Sequence, residues 1–303
     1  MHPQSQRQGD LFPDSARGES IADASGAFDS RPEPPGVRRL GRHGRIRVGT
    51  SGYSFADWVG TFYPSGTPRG AMLDEYVRHF DVVEINFSYY RVPDADMFAR
   101  MEAKTPPGFE FIVKLYKGMT HEVEEDAAMY RQFVSSVAPL REAGKFGGYL
   151  AQFPWRFKKS SKSEAHLASL RDRLGDDPLF AEFRHDSWIE RETFESLEAQ
   201  GIGYCSVDEP ALKGLVPPVA AATTDTGYVR FHGRNARNWW GGGGDRYDYD
   251  YNRKELTEWT EKLLKLEDKV RKVYAFFNNC HAGHAARNAE LMVGMLGDEL
   301  GRV

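Results

Sequence analysis

Polar residues recur at alternate positions near the ends of several apolar runs in this 303-residue sequence. The first case is VVEINF, residues 82–87, where Glu84 and Asn86 alternate with apolar neighbours. Alternate residues of a β-strand face the same side. Glu84 and Asn86 therefore share one face, opposite the face that packs in an apolar layer. We expect that shared face to border a functional site.

The same alternation appears in the later runs. The polar set continues with Lys114, Gln152, Glu182, Arg184, Ser206, Asp208, Arg230, His232 and Asn278. The intervening set is mostly apolar: Val83, Ile85, Phe111, Val113, Tyr149, Ala151, Ala181, Phe183, Cys205, Val207, Val229, Phe231, Ala275 and Phe277. In a closed barrel one face of each strand meets the helices and the other faces the axis. We expect the polar set to converge on one mouth and the apolar set to lie beneath the helices.

The polar set contains the residue types that bind anions and transfer protons. Lys114, Arg184 and Arg230 are the predicted clamp for a phosphate or carboxylate group. Buried charges are costly to desolvate, which favours a functional pocket over an ion-pair lattice that only fills the barrel. The predicted catalytic residues are Glu84, Glu182, Asp208 and His232, and the predicted substrate contacts are Asn86, Lys114, His121, Gln152, Arg184, Arg230 and Asn278.

Metal ligation is an alternative use of the same residues. Glu182, Asp208 and His232 end three consecutive apolar runs, and carboxylate with imidazole suits a divalent Mn, Zn or Mg ion. The adjacent Arg184 and Arg230 would repel a cation. We therefore identify no cofactor and assign no metal ligand, and a divalent metal ion stays as the alternative.

The order of the runs predicts the fold. Strand patterns at residues 46–49, 82–86, 109–114, 147–153, 179–184, 202–207, 227–232 and 272–277 alternate with amphipathic helical patterns. Eight such units over about 250 residues are typical of a (β/α)8 TIM barrel, an α/β fold with its active site at the carboxyl ends of the strands. An open, doubly wound sheet is the alternative.

The composition limits location and partners. Residues 1–44 are rich in Gly, Pro and charge without apolar periodicity, which predicts a flexible tail before a barrel domain at 45–303. A net charge of -4 gives no global attraction to nucleic acid or to an anionic membrane. No apolar run is long enough to span a membrane. Cys205 and Cys280 fit small core residues in a reducing compartment, so we expect a cytoplasmic protein without a membrane partner.

The loops after the strands are rich in aromatic residues, which suit stacking on bases or sugars as well as packing of the barrel top. Examples are Tyr89, Tyr90 and Trp155. The run WWGGGGDRYDYDY, residues 239–251, combines two Trp with four Gly, which fits either a mobile lid or a disordered insertion.

A set of short motifs resembles the YecE-like proteins, the domain of unknown function family seventy-two. The motifs are VGTSGYSFADWVGTFYP (48–64), VVEINFSYYRVP (82–93), FIVKLYKGMTH (111–121), AQFPWRF (151–157), EFRHDSW (182–188), VRFHGR (229–234) and FFNNC (276–280). The resemblance covers roughly residues 45–297 and implies a TIM barrel, with no established reaction. The family motifs fall on the polar set and also include Gly52. Cys280 departs from the family, where an acidic residue is expected.

The combined expectation is an enzyme of hydrolase or phosphodiesterase type. It would act on an anionic small molecule, a nucleotide or another nucleic-acid component through the polar pocket. The alternatives are a non-catalytic nucleic-acid-binding protein and a divalent-metal-dependent barrel resembling sugar isomerases or endonucleases.

Overall fold

The computed structural model describes residues 37–241 and 243–300. Eight parallel strands pair in chain order, and β1 pairs with β8 to close a barrel. This confirms the TIM-barrel prediction over the open sheet. The observed strands agree with the predicted ones to within two residues at each end: β1 Ile46–Ser51, β2 Val82–Ile85, β3 Glu110–Lys114, β4 Phe146–Gln152, β5 Leu179–Glu182, β6 Ile202–Asp208, β7 Thr226–Phe231 and β8 Lys272–Phe277.

Helices cover the outside of the barrel. The described residues form α1 Met72–Tyr76, α2 Ala95–Glu102, α3 Lys117–Thr120, α4 Ala127–Ser136, α5 Ala138–Glu142, α6 Ser161–Leu174, α7 Arg191–Ala199, α8 Arg253–Glu267 and α9 His284–Gly297. The β6–β7 connection, residues 209–225, contains no helix. Pro210, Pro217 and Pro218 explain this, since proline lacks the backbone N–H that a helix needs.

Local sequence determines where α8 begins and which face it buries. Asn252 accepts a hydrogen bond from Glu255 N, and the Glu255 side chain accepts one from Asn252 N, forming a capping box. Leu256, Trp259 and Leu263 then lie on one buried stripe. That stripe places α8 against the barrel, with Trp259 reaching the end of β6.

The predicted faces are correct for every strand tested except β6. Val83, Phe111, Tyr149 and Val229 belong to the core between strands and helices. Cys205 and Val207 instead belong to the apolar cluster inside the barrel, with Phe180. The prediction for β6 is wrong because the lower part of a barrel interior is as apolar as the layer under the helices, so hydrophobicity alone did not separate the two faces.

The barrel begins earlier than the predicted boundary at residue 45. Leu40 is buried and forms an antiparallel bridge with Ile46. The buried carboxylate of Glu267 accepts hydrogen bonds from the backbone N–H groups of Arg42, His43 and Arg45. Residues 37–44 therefore pack on the barrel, whereas the rest of the predicted tail, residues 1–36, lies outside the described residues.

None of the helices in the described part of the chain combines the length and the apolar character needed to cross a membrane.

Candidate functional site

A buried lattice of charged side chains fills the centre of the barrel below its mouth. Arg230 on β7 donates from Nε and Nη2 to the two oxygens of Glu84 on β2, at 2.8 and 2.6 Å. Its Nη1 donates to Glu182 Oε2 on β5 at 2.5 Å. All three side chains are at most 1% exposed. Arg230 is therefore closed off from solvent as well as paired at every nitrogen, so it cannot contact a ligand anion, and its predicted place in the clamp is wrong.

Arg184 extends the lattice toward the end of β6. Its Nε donates to Glu182 Oε1 at 2.5 Å, and its Nη1 donates to Glu209 Oε2 at 2.9 Å. Glu209 also accepts from Val216 N at 3.1 Å. Burial raises the pKa of Glu209 to about 7, against the opposing effect of the Arg184 charge. The pKa of Glu182 moves the other way: burial raises it, but the Arg184 and Arg230 charges together hold it well below the ordinary value.

Glu209 is absent from the predicted site residues because the prediction for β6 had the wrong parity. With Cys205 and Val207 inside the barrel, the next inward position is residue 209. Two acidic residues in succession, Asp208 and Glu209, were the available signal, since only one of them can face the axis.

Asp208, predicted as a catalytic residue, points away from the mouth. It pairs with Phe231 in the β6–β7 register, and Phe231 faces the helices. Its carboxylate accepts from Trp259 Nε1 at 2.5 Å, Tyr251 Oη at 2.6 Å and Arg234 Nη2 at 2.7 Å. Asp208 therefore fastens α8 and the loop after β7 to the barrel, and its predicted place in the mouth is wrong.

The same orientation prevents the alternative metal set from assembling. Glu182 lies inside the barrel against two guanidinium groups, whereas Asp208 lies outside it. Glu182, Asp208 and His232 thus have no common position for an ion.

His232 lies within the lattice as a neutral imidazole. Its Nδ1 faces two donors, Asn278 Nδ2 at 3.0 Å and Arg184 Nη2 at 3.4 Å, so Nδ1 is the acceptor and the ring proton belongs on Nε2. Nε2 lies 3.2 Å from Glu182 Oε1, although the alignment is too poor for a good hydrogen bond. Burial, reinforced by the Arg184 charge, lowers the pKa of His232 to about 3.

A cavity of about 1230 Å³ opens above the lattice. Of the predicted site residues, Asn86, Lys114, His121, Gln152, Arg184 and Asn278 line it. Glu84, Glu182, Arg230 and His232 lie below its floor, buried to 1% exposure or less. The polar set therefore forms two layers, an open one that can touch a ligand and a closed one that supports it.

The lining of the cavity is strongly cationic. No Asp or Glu of the described residues contributes to the lining. Seven Lys or Arg side chains do: Arg69, Arg91, Arg100, Lys104, Lys114, Arg184 and Arg246. Lys104 is paired with Asp74 at 3.0 Å, and Arg184 is paired with carboxylates from below. The other five have no carboxylate within ion-pairing distance in the described parts of the chain, so the cavity carries an uncompensated positive charge.

Lys114, the last residue of β3, is one of the cations that line this cavity. Its Nζ donates to Gln152 Oε1 at 2.8 Å and lies 4.5 Å from the centre of the Tyr89 ring. Burial lowers the pKa of Lys114 to about 7, and the Arg230 charge adds to the effect. A lysine with such a pKa is part ammonium and part free amine at neutral pH, so it can both hold an anion and exchange a proton.

Two further cavity residues have polar atoms suited to a ligand. Asn86 Oδ1 is buried and has no hydrogen-bond partner among the described residues, which leaves an acceptor for a ligand donor. His121 lies 5.0 Å from the Tyr89 ring, and burial, followed by the Lys114 charge, lowers its pKa to about 4. His121 is therefore a neutral group at physiological pH.

Glycine is required where the loop after β1 turns into the cavity wall. Gly52 has a φ of 95°, in the left-handed region, and a Cβ there would lie 2.9 Å from the Phe55 ring. Its N–H donates to Glu84 O at 2.8 Å, which ties this wall to β2.

The segment 239–251, predicted as a lid or a disordered insertion, borders the cavity. Residues 243–247 form a short 3₁₀ helix, and Trp239, Arg246 and Tyr247 line the cavity. Trp239 and Tyr251 are buried and anchor the two ends of the segment. Cys280, predicted as a core residue, is half-buried and also lines the cavity, whereas Cys205 is buried as predicted.

Comparison with known proteins gives consistent matches across the barrel. Residues 47–303 match the family model described as "Protein of unknown function DUF72". The chain is 34% identical over 269 residues to the UPF0759 protein YunF of Bacillus subtilis strain 168, covering 83% of this chain and 94% of YunF. It is 26% identical over 188 residues to the UPF0759 protein YecE of Escherichia coli O157:H7, covering 61% of this chain and 64% of YecE.

A solved structure agrees in fold. The crystal structure of a DUF72 family protein of Thermotoga maritima MSB8 is 41% identical, with a TM-score of 0.78. The match covers 83% of this chain and 99% of that one.

Proposed function

This chain belongs to the DUF72 family, and from that premise and the cationic mouth we propose that it is an enzyme that binds and hydrolyses a phosphorylated small molecule or nucleic-acid component. The observation that carries the proposal is the cavity lining, with seven cationic side chains and no carboxylate from the described residues. The whole chain has a net charge of -4, so this charge distribution is local to the mouth.

The size and walls of the cavity favour a ligand larger than a phosphate ion. Pockets for small organic ligands have volumes of roughly 300–1,000 Å³, and this cavity of about 1230 Å³ accommodates a nucleotide or sugar phosphate. Tyr89, Tyr90 and Trp155 lie on its walls, where flat rings can stack on a base. Lys114 and Arg184 would hold the phosphate on the floor.

Hydrolysis of a phosphate ester needs a group that takes a proton from water and cations that stabilise the transferred phosphoryl group. The neutral amine of Lys114 is the candidate base, because the lattice holds Glu84 and Glu182 below the floor. Once it has taken the proton from water, the resulting ammonium group can hold the phosphoryl group beside Arg184 and return the proton to the leaving oxygen. Arg184 supplies charge stabilisation. Glu182 and Glu209 keep its guanidinium in position, a supporting role that replaces the acid–base role predicted for Glu182.

Thermal-shift measurements and calorimetry with inorganic phosphate, sugar phosphates and nucleoside monophosphates test binding. We expect at least one phosphorylated compound to raise the Tm, and we expect Lys114→Met and Arg184→Met to weaken its binding at least tenfold. Arg78→Gln, at a 70% exposed position on another surface, is the matched control. Release of inorganic phosphate from the bound compound tests catalysis. No shift with any phosphorylated compound would end the proposal.

A second candidate, non-catalytic binding of single-stranded nucleic acid, is favoured by exposed rings at the rim. Tyr90 is 73% exposed and Trp240 is 55% exposed. Trp155 lies 5.4 Å from the Trp240 ring, and Lys158 Nζ lies 4.9 Å from the centre of the Trp155 ring. Oligonucleotide titrations at several salt concentrations distinguish the candidates, because phosphate-backbone binding weakens steeply with salt. A flat salt dependence would remove this candidate.

We place either activity in the cytoplasm, in keeping with the two free thiols of Cys205 and Cys280.

A further inference from the structure

A second cluster of ligand-type side chains lies outside the mouth, where the segment 239–251 meets the start of α9. Asp248 Oδ1 is 3.1 Å from His281 Nδ1 and 3.1 Å from His284 Nε2. The three ligand atoms all lie within 4.8 Å of one another. Two imidazole nitrogens with one carboxylate oxygen form a donor set typical of zinc sites. We propose that Asp248, His281 and His284 bind a divalent transition metal ion of the zinc type.

The distances suit such an ion. Zinc binds imidazole nitrogen at about 2.0–2.1 Å and carboxylate oxygen at about 2.0–2.2 Å, so tetrahedral ligand atoms lie roughly 3.4 Å apart. The two separations of 3.1 Å from Asp248 Oδ1 need only a small expansion to admit the ion, and the two imidazole nitrogens lie within 4.8 Å of each other. His281 and Asp248 are each 49% exposed, which leaves room for water as a fourth ligand.

The backbone between the two histidines is strained in a way that brings them together. Ala282 has a φ of 48° and Gly283 has a φ of 76°, so two successive residues adopt the left-handed conformation. Asp57 Oδ2 accepts a hydrogen bond from Ala282 N at 2.7 Å and helps to hold this turn. The centres of the His281 and His284 rings lie 6.0 Å apart, with 27° between the ring planes. Non-glycine residues in this conformation cluster at ligand sites.

Three charged groups besides the histidines face the cluster, and their balance favours a cation. Asp248 and Asp250 contribute two carboxylates, against the single guanidinium of Arg287. Asp250 Oδ2 lies 3.4 Å from His284 Nδ1, where it can accept a hydrogen bond from the Nδ1–H group when Nε2 binds the metal. Arg287 Nη2 donates to the same Nδ1 at 2.6 Å. This hydrogen bond from Arg287 favours the tautomer with its proton on Nε2, which cannot bind the metal through that atom. The Arg287 side chain is 40% exposed, so it has room to change conformation when the metal binds.

The cluster is adjacent to the cavity wall but independent of the proposed activity. Arg246 and Tyr247 line the cavity, and Asp248 is the next residue. A metal ion at the cluster would tie this wall to α9. Amide hydrogen exchange in residues 239–251 should then slow when the metal binds.

The full chain, without an affinity tag and freed of metal by chelation, provides the test. Titration with Zn²⁺ against a chromophoric chelator should show one equivalent bound. The variants His281→Ala and Asp248→Asn should each weaken binding at least tenfold. Arg287→Ala should bind zinc more tightly than the wild type, because it removes the competing donor.

His79→Ala is the matched control, because His79 Nδ1 pairs with the Glu290 carboxylate at 2.7 Å without a second imidazole close by among the described residues. It should leave zinc binding unchanged. Substitution with Co²⁺ gives a second readout, as a tetrahedral nitrogen and oxygen site absorbs in the visible range. Failure to bind an equivalent of zinc, or unchanged affinity in His281→Ala, would overturn the proposal whatever ligand the mouth binds.

Discussion

Arg230 and Glu84 form a two-point ion pair inside the barrel, from β7 to β2, although 146 residues separate them in the sequence. Neither group is stable alone in this position, because a buried charge without a partner costs several kcal/mol. Glu182 on β5 accepts a hydrogen bond from the remaining nitrogen of the Arg230 guanidinium, Nη1. The floor of the mouth is thus a charged but fully paired structure.

Replacing Arg230 tests this pairing. We expect Arg230→Met to lower the free energy of unfolding by about 3–5 kcal/mol, because Glu84 and Glu182 are left buried without their common partner. Urea denaturation provides the measurement. Arg78→Met, at an exposed i,i+3 pair with Glu75, should change stability by no more than about 0.5 kcal/mol. Similar losses in the two variants would contradict the pairing.

Lys114 should limit stability while it supports binding. With no carboxylate partner in the described parts of the chain, its ammonium form is disfavoured by burial, and its pKa falls to about 7 from an ordinary value of 10.5. Lys114→Met should therefore raise the free energy of unfolding at neutral pH, by about 1–3 kcal/mol, while it weakens phosphate binding at least tenfold.

The pH dependence of that gain has a defined sign. Between pH 7 and pH 10.5 the unfolded lysine binds more proton than the folded one, so wild-type stability rises with pH across this window. The advantage of Lys114→Met should be largest near pH 6 and shrink toward pH 10. Lys254→Met, at an exposed position on α8, should show no such trend. A constant difference across the range would refute the assignment.

His232 should make the wild type sensitive to acid. Its pKa is about 3 in the folded protein against 6.5 ordinarily, so only the unfolded chain takes up this proton between pH 6.5 and pH 3. Its contribution to stability is present above pH 6.5 and is lost as the pH falls, by at most about 1.4 kcal/mol per unit. His232→Gln should lack this component. Parallel curves of unfolding free energy against pH for the two proteins would count against it.

The sequence predicts a catalytic role for Asp208, whereas the structure gives it a role in stability. We expect Asp208→Asn to cost about 2–3 kcal/mol of stability, because Arg234, Trp259 and Tyr251 lose a charged acceptor. Ligand affinity at the mouth should change less than twofold. Glu209→Gln should instead alter ligand binding, since Glu209 holds Arg184. Calorimetry of both variants with the same phosphorylated ligand makes the comparison. A large loss of ligand affinity in Asp208→Asn would support the catalytic role that the sequence predicts for Asp208.

Alternation along the strands was sufficient to predict the barrel and most of the side chains that face its axis. It succeeded at Glu84, Lys114, Gln152, Glu182 and Arg230, whose neighbours in sequence pack beneath the helices. It failed at β6, where Cys205, Val207 and Ser206 fit either face. A short side chain inside a barrel and one under a helix are equally buried from water. The alternation of polar and apolar residues therefore does not show which face of β6 points to the axis.

The division of the polar set into two layers was not predictable from the sequence. Whether Arg184 or Arg230 remains available to a ligand depends on distances between strands that are far apart in the chain. Those distances follow from the stagger of the closed barrel, which residue types alone do not specify. The clustering of Arg69, Arg91 and Arg100 at the cavity likewise depends on how the loop after β1, the β2–α2 loop and α2 fold over the mouth.

The Glu84–Arg230–Glu182 lattice also has a bearing on how the chain is made. The ribosome releases both acidic partners before it releases β7, so a nascent barrel holds Glu84 without its guanidinium partner and Glu182 with Arg184 alone. Partial barrels of this sequence should stay open and hydrated until the arginine arrives. We expect charge pairing at the axis to make closure of the barrel a late event in folding, and we expect half-sized fragments to be unstable as independent units.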